Sequence, residues 1–408
     1  MGTHDINFSE QFEFTGKVKI LSIVGIIIGV AAVAYGFFGS NEIMHEERTF
    51  ANLLLMAYYF ACVCMSATFF LAIQYVAQAG WSTAILRVPQ AMARTLPIAS
   101  IILLVIIGAG LYTHGLYHHW HADGITDPGS PNFDAIIKGK SGYLNVPFFM
   151  SREIVLLGLY CMFSWLLAKY SYNEDLAGGL ANYNKSFKVS VIFLVVYGFT
   201  SPIFSFDTIM SLEAHWFSTM FGWYNFAAMW VSSLAVIAVV VILLRRAGYM
   251  PWVNNSHLHN LGQFIFGFSI FWTYTWFAQF LLTYYANIPE ESVYFFKRFE
   301  YYEFWFYLNL ILNFLAPVLL LMDRDNKRTD IKLLAVSILV LIGHWVDYYQ
   351  MIMPGAVKDG YAGLGILEIG TAIGFVGIFT FTVLTALGKK PLVAKNHPLL
   401  QESLHHQL

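Results

Sequence analysis

The segment HWVDYYQ places His344, Asp347 and Tyr348 in an otherwise apolar stretch of the chain. Their spacing of three and four residues puts all three on one face of a helix. An imidazole changes its charge near neutral pH, and a neighbouring carboxyl can exchange the proton with it. The pattern therefore predicts a proton-transfer site. The alternative interpretation is a buried hydrogen-bonded cluster that only holds two helices together.

A second carboxyl, Glu368, is expected at the same depth as Asp347. Counted from Lys332 at about 1.5 Å per residue, His344 lies roughly 18 Å and Asp347 roughly 22 Å into one apolar span, and Glu368 is about 10 Å from the outer end of the next. Both carboxyls then lie at one level of a hydrocarbon core about 30 Å thick. Ionisable groups inside a membrane are costly and usually functional. We predict a proton path through His344, Asp347 and Glu368.

Aromatic, imidazole and charged side chains also gather at the ends of two other predicted spans: Tyr112, His114, Tyr117, Arg152 and Glu153. Such a set can hold a quinone ring while His and carboxyl groups accept protons from it. The alternative is an interfacial group whose long side chains reach towards water. His114 and His118 have a spacing that suits zinc, but no Cys or Glu completes a ligand set, so no metal is expected.

The segment FSFDTIMSLEAHWFSTMFGWYNFAAMW, residues 204–230, joins two apolar runs and carries Asp207, Glu213 and His215. Asp207, Ser211 and His215 are four residues apart, which aligns them if the segment forms a short interfacial helix. The aromatic residues that follow are typical of a membrane interface. The segment is predicted to be a hinge at one membrane surface, and a simple re-entry turn is the alternative.

The composition is that of a membrane protein. The chain is 58% hydrophobic and only 12% charged, with recurring apolar runs of the length needed to cross a bilayer. A net charge of −2 gives no indication of a nucleic-acid partner. The three cysteines, Cys62, Cys64 and Cys161, form no CxxC or CxxCH motif. No iron–sulfur cluster or covalent haem is expected, and intrinsic haem b is not expected because only one His lies deep in a span.

The apolar pattern predicts an all-α polytopic fold of ten transmembrane helices. Helices 2–5 and 6–9 would form two four-helix bundles, with one flanking helix at each end of the chain. The predicted segments are an N-terminal tail 1–19, helix 1 at 20–38, the first bundle 50–206, the hinge 207–215, the second bundle 216–353, helix 10 at 364–387 and a C-terminal tail 388–408.

Orientation follows from the connecting segments. Sixteen of the 23 Lys and Arg residues fall on the side that carries both termini. The excess predicts that both termini are cytoplasmic, so the hinge and the long loop 117–146 face the outside, which is the periplasm in a bacterial inner membrane.

The parallel arrangement of the two bundles also fits a secondary transporter. The clustering of ionisable groups towards one surface argues against that alternative.

The segment SFDTIMSLEAHWFSTMFGWY, the two four-helix sets and the extra span at each end resemble an NrfD/PsrC-type membrane subunit. Within that family, the chain is most similar to the F subunits of alternative complex III, a bacterial quinol:cytochrome c or quinol:electron-acceptor oxidoreductase. The likeness extends over essentially the whole chain. The sister C subunits are built alike and carry a related segment.

The resemblance implies a subunit without a redox centre of its own, serving as a scaffold and a proton-conducting half-channel. Its partners would be an iron–sulfur subunit, a multihaem cytochrome c subunit and a second NrfD-like subunit, which hold the clusters and haems, together with membrane lipids. Quinone or menaquinone is the ligand implied. The resemblance also implies that His344, Asp347 and Glu368 conduct protons and that His114, Arg152 and Glu153 contact the quinone. Direct quinol binding and oxidation in this subunit is the alternative function, and secondary transport is the third.

Overall fold

A computed structural model describes residues 7–14, 16–39, 43–357 and 363–407. Within these ranges, ten helices are long and apolar enough to cross a membrane, which confirms the all-α polytopic fold. Residues 1–6 of the predicted tail and Lys358, one of the residues used to predict the orientation, lie outside the described residues.

The ten helices are labelled in chain order. They are α1 (Gly16–Phe38), α2 (Ile43–Val76), α3 (Arg87–Tyr112), α4 (Val146–Ala177), α5 (Ala181–Thr208), α6 (Met220–Arg246), α7 (Asn255–Ala286), α8 (Glu303–Leu321), α9 (Asp330–Ala356) and α10 (Ile366–Leu387). Several begin at side chains that cap free backbone N–H groups: Asn145 accepts from the N–H of Phe148, and Asn254 accepts from those of Ser256 and His257.

Two groups of four helices pack as expected. Helices α2–α5 contact one another in the first bundle, and α6–α9 do so in the second. Helices α2 and α6 form the contact between the bundles and are the most buried of the ten. A mixed sequence of small and aromatic side chains lets both helices pack on every side, whereas the outer helices keep an apolar face for lipid.

The flanking helices α1 and α10 pack mainly against each other, on the side of the first bundle formed by α2 and the start of α3. Small residues make this contact close, as is usual between helices in lipid. A Cβ atom added to Gly29 would lie 2.4 Å from the Cα atom of Gly374, and one added to Gly374 would lie 2.5 Å from the Cα atom of Gly29. Neither position has room for a side chain.

We therefore expect Gly29→Leu to separate α1 from α10 and to lower the free energy of unfolding by about 1–3 kcal/mol, the usual cost of overpacking. Thermal unfolding of the detergent-solubilised protein measures the loss. Gly198→Leu on α5 is the matched control, because a Cβ atom there meets nothing within 4 Å. Equal melting temperatures for the two variants would contradict the tight contact.

Both chain ends lie on one face of the helical array, here called the terminal face. Residue Gln11 pairs with Pro391 in an isolated β-bridge, and the N–H of Leu392 donates to the carbonyl of Glu10 at 2.8 Å. The connections after α2, α4, α6 and α8 belong to this face. The other connections form the opposite face, which holds the long loop 113–145 and the segment after α5.

The structure corrects several predicted boundaries. The hinge 207–215 is not a single interfacial helix: Asp207 lies in the last turn of α5, which ends at Thr208, and a separate 3-10 turn covers Met210–Glu213. The second bundle begins at Met220, not at residue 216. The long loop contains two short helices, His118–His121 and Ala135–Lys140, and a further short helix, Pro289–Tyr301, precedes α8.

Candidate functional site

The carboxylate of Asp347 lies in the middle of the second bundle, fully buried on α9. Three side chains from three other helices donate to it. The hydroxyl of Tyr224 donates to Oδ1, the indole N–H of Trp272 donates to Oδ2 at 2.9 Å, and the amide of Asn309 donates to Oδ1 at 2.8 Å. Tyr224, Trp272 and Asn309 are here called the Asp347 shell. They compensate the carboxylate for its lost water, because each donor replaces one hydrogen bond that a solvated carboxylate would make.

His344 is the ionisable partner of this carboxylate. Its Nδ1 atom lies 3.4 Å from Oδ2 of Asp347, and its ring is also fully buried, edge-on to Trp272 at 5.6 Å between ring centroids. Among the described residues, the Nε2 atom of His344 has no hydrogen-bond partner. The pair His344 and Asp347 can therefore take up a proton without losing a salt bridge to Lys or Arg.

Buried polar atoms continue from this pair towards the terminal face. Within the described ranges, Oδ1 of Asn313, Oγ of Ser337 and Oγ of Ser269 are buried and have no hydrogen-bond partner. Asn313 on α8 and Ser269 on α7 lie about one helical turn nearer the terminal face than Asn309 and Trp272, and Ser337 on α9 lies about two turns nearer than His344. Buried polar groups without protein partners are commonly bound by internal water.

Helix α8 departs from α-helical geometry beside this shell. Residues Ile311–Leu315 form a π-helical turn, and Asn313 within it donates from Nδ2 to Oδ1 of Asn309 at 2.6 Å. Both asparagines face α9, where Asn309 contacts Asp347 and Asn313 lies beside Gly343. Single π-helical turns inside α-helices are frequent at functional sites.

On the opposite face, a stack of three side chains lies above the Asp347 shell. The ring of Tyr294 lies against Trp216 at 3.8 Å between centroids, and the guanidinium carbon of Arg298 lies 3.3 Å from the centroid of Tyr294 on its other side. Tyr224 interacts electrostatically with Tyr294 and Arg298 as well as with Asp347. The stack thus adjoins the donor shell of the buried carboxylate.

Glu213 lies between the stack of Trp216, Tyr294 and Arg298 and the protein surface. Its carboxylate accepts from Nη2 of Arg298 at 2.7 Å and is 15% exposed, whereas the side chain of Arg298 is only 3% exposed. Burial works against the charge of Arg298, but the Glu213 carboxylate outweighs it and raises the pKa of the guanidinium. Burial raises the pKa of the Tyr294 hydroxyl. Asp347, Tyr224, Tyr294 and Glu213 therefore form a series of polar side chains, of which the first two are hydrogen-bonded and the others interact electrostatically.

Glu368 does not join this series, which corrects the prediction that it meets Asp347. Helix α10 begins at Ile366, so Glu368 lies in its first turn and accepts from the N–H of Gly365 at 2.7 Å. The same carboxylate accepts from Nε of Arg48 at 2.6 Å and from Asn52 at 3.0 Å. None of its hydrogen bonds within the described chain goes to α9. Glu368 holds α10 against α2.

The predicted quinone group is split in the structure. Nε of Arg152 donates to Oδ2 of Asp207 at 2.7 Å, which joins that group to the hinge. Glu153 is buried and accepts from the hydroxyl of Thr208 at 3.0 Å, while its Oε2 atom has no partner among the described residues. Tyr112 is 87% exposed, away from that buried carboxyl. Arg152 and Glu153 thus bond to Asp207 and Thr208 at the end of α5, whereas Tyr112 is exposed.

The histidines of the long loop form two separate ring pairs. His114 stacks on His121 at 4.7 Å between centroids, and His118 contacts His119 at 4.7 Å. Burial and the neighbouring His118 lower the pKa of His119 to about 4. His215, from the predicted hinge, bonds through Nε2 to Oδ2 of Asp134 at 2.7 Å. Within the described residues, no group of three or more His, Cys, Asp or Glu side chains has a metal-binding arrangement.

Sequence reasoning found Asp347 and His344 but missed the side chains that complete their surroundings. Tyr224, Trp272 and Asn309 are neutral residues on distant helices, and aromatic residues make up 17% of the chain. The ion pair of Arg298 and Glu213 was also missed, although both residues flank predicted spans. A search for polar residues within apolar runs would have selected Asn309 and Asn313, because the sequence LNLILNFL is otherwise apolar.

No family model matches this chain, and no curated protein matches it either. Two features of the described residues bear on its function. One is a buried imidazole and carboxylate in mid-span. The other is a polar series that extends from them towards both faces of the bundle.

Proposed function

We propose that this protein conducts protons as the membrane subunit of a quinol-oxidising respiratory complex. The observation that carries the proposal is the fully buried pair of His344 and Asp347, whose carboxylate has neutral donors from three helices. A buried acid that serves only for stability is usually paired with Lys or Arg, as Glu368 is with Arg48. Asp347 instead has an imidazole as its ionisable neighbour, with Nδ1 of His344 3.4 Å from Oδ2.

The proposed path has two halves that meet at Asp347. From the terminal face, the unpartnered atoms of Ser337 and Asn313 mark positions where internal water completes the hydrogen bonds. Towards the opposite face, Tyr224 and Tyr294 supply hydroxyl groups, and Glu213 lies at the surface. Proton transfer needs donors and acceptors within hydrogen-bond reach or one water apart. Tyr224 is hydrogen-bonded to Asp347, and Tyr294 interacts electrostatically with Tyr224 and Glu213, so we propose that internal water completes this half of the path.

The identity of the complex rests on the family resemblance. The segment from Phe204 to Trp230 resembles that of NrfD/PsrC-type subunits, most closely the F subunits of alternative complex III. On this proposal, iron–sulfur and multihaem cytochrome c subunits and a second NrfD-like subunit bind the opposite face, which then faces the periplasm. The protein itself carries no redox centre. Both termini are cytoplasmic, in agreement with the excess of Lys and Arg on the terminal face.

Direct quinol oxidation in this subunit is the weaker proposal. Two residues expected to hold the quinone ring contact other side chains: Arg152 pairs with Asp207, and His114 stacks on His121. The unpartnered Oε2 atom of Glu153 is what favours it, since a buried carboxyl of this kind can accept a proton from a bound quinol. Density for a quinone-site inhibitor beside Glu153 would support it.

Isolation of the protein from native membranes in a mild detergent tests the main proposal. We expect the chain to co-purify with subunits that show c-type haem absorbance and the electron paramagnetic resonance signal of reduced iron–sulfur clusters. Haem staining and mass spectrometry of the same fraction identify the subunits. A chain that elutes alone, stable and free of haem would contradict membership of such a complex.

A further inference from the structure

A second buried acid, Glu174, lies at the terminal-face end of the first bundle, remote from the series described above. Glu174 is only 1% exposed on α4, yet within the described chain neither oxygen of its carboxylate has a hydrogen-bond partner. The nearby cation Arg87 is directed elsewhere, because it donates to Asp175, to Gln90 at 2.6 Å and to Ser171 at 3.2 Å. Arg87 is thus ion-paired with Asp175, and none of the hydrogen bonds of its guanidinium within the described chain goes to Glu174.

Further polar groups around Glu174 are buried and unpartnered. They are the hydroxyl of Tyr75, at 3% exposure, and the hydroxyls of Ser186 and Ser190, both fully buried on α5. Tyr75 interacts with Glu174, Ser171 and Ser186, so these groups belong to one cluster. A buried carboxylate whose two oxygens have no partner among the described residues, beside the polar side chains of Tyr75 and Ser186, indicates bound water, since buried polar groups are otherwise nearly always hydrogen-bonded.

The C-terminal segment covers this cluster from the terminal face. Asn396 donates to the carbonyl of Asp175 at 2.9 Å. The ring of His397 lies 5.7 Å from the ring of Tyr75 and 5.4 Å from that of Tyr183, between centroids. The hydroxyl of Ser403 donates to the carbonyl of Trp81 at 2.8 Å and accepts from the N–H of Ala84 at 2.9 Å.

His397 is the innermost polar side chain of this cover. It is 8% exposed and lies 3.3 Å from the hydroxyl of Thr83 through Nδ1. Together with Tyr75, Thr83 and Tyr183 it lines a small cavity of about 10 Å³. Burial lowers the pKa of His397 to about 4, so the ring is neutral at pH 7 and adds no fixed charge to the entrance.

We propose that residues 392–406 are a plug that controls the access of water and protons from the terminal face to the buried carboxyl of Glu174. The plug is held by hydrogen bonds to loops and helix ends and by four buried apolar side chains, Leu392, Val393, Ala394 and Leu400. Its release exposes these side chains to water but leaves the hydrogen bonds of the spanning helices intact. With the plug docked, the water around Glu174 is enclosed. With the plug released, this water joins the solvent and Glu174 exchanges its proton with it.

Cysteine accessibility in the full chain tests the plug. Ser186→Cys places a thiol inside the cluster, and a small cationic methanethiosulfonate reagent reports whether water reaches it. We expect slow modification when the plug is intact and at least tenfold faster modification when His397→Ala is added. Peptide mass spectrometry separates the new thiol from Cys62, Cys64 and Cys161.

Three further variants make the result decisive. Ser403→Ala removes the hydrogen bonds between the plug and the backbone of Trp81 and Ala84, and Ser403 does not line the cavity. This variant should also accelerate modification of Ser186→Cys. His405→Ala, at an exposed position of the same segment, should leave the rate unchanged. Ser232→Cys, fully buried on α6, should resist the reagent in every background. Equal rates at Ser186→Cys with the intact and the weakened plug, or resistance in both, would overturn the proposal.

Discussion

Replacing Asp347 by Asn is expected to slow proton-coupled turnover of the assembled complex by about 100-fold, the usual effect of losing a group that transfers protons. Asn has a similar shape but cannot bind or release the proton. Its amide also places donors opposite the donors of Tyr224, Trp272 and Asn309, so we expect stability to fall by about 1–3 kcal/mol. Proton release during quinol oxidation, measured in liposomes, checks the first effect.

Glu368→Gln is the matched control for this experiment. Glu368 is an equally buried acid, but its carboxylate binds the cation Arg48 and caps α10. We expect its loss to reduce thermal stability and to leave the rate of proton release per assembled complex unchanged. Full turnover in Asp347→Asn, or an equal loss of turnover in both variants, would remove Asp347 from the proton path.

The second large effect is expected at Arg152. Arg152→Met leaves the carboxylate of Asp207, whose side chain is 1% exposed, without its cation. Removing one partner of such a buried pair commonly costs about 3–5 kcal/mol, because the remaining charge stays out of water. The guanidinium also packs on Tyr143 at 3.7 Å from the ring centroid, a contact that is lost as well. Denaturant titration of the solubilised protein measures the difference.

Two companion variants identify the cause. In Arg152→Met with Asp207→Leu, no buried charge remains, and we expect most of the lost stability to return. Arg245→Met breaks the pair with Asp330, whose side chains are 21% and 29% exposed, so its effect should stay below about 1 kcal/mol. If the double variant were no more stable than Arg152→Met, the unpaired charge would not be the cause.

The ten helices could be predicted because a span imposes a long apolar run, and such runs are visible without knowledge of their partners. Asp347 was found for the same reason, since a carboxylate stands out in an apolar segment. Its environment could not be predicted. Tyr224 and Trp272 are separated from it by 123 and 75 residues, and only the packing of α6 and α7 against α9 selects them.

Helix ends explain why Glu368 was misplaced and why Glu174 was not selected. Glu368 was expected inside a helix starting at residue 364, but α10 starts at Ile366, and the side chain forms the cap. Glu174 lies in the polar sequence SYNEDLA, which does not stand out as part of an apolar run, yet α4 continues to Ala177 and buries it. Pattern analysis places helix ends poorly, because packing decides how far a helix continues.

The pairing of α1 with α10 also bears on how the protein is made. Helix α1 is synthesised before α2–α9, but its main partner is α10, and until α10 is made its other neighbour is α2. Lipid surrounds the apolar side chains of α1 as well as protein does, so the delay costs little free energy. The glycine surface around Gly29 is covered only when α10 has been inserted, so this contact forms after the helices of both bundles have been made.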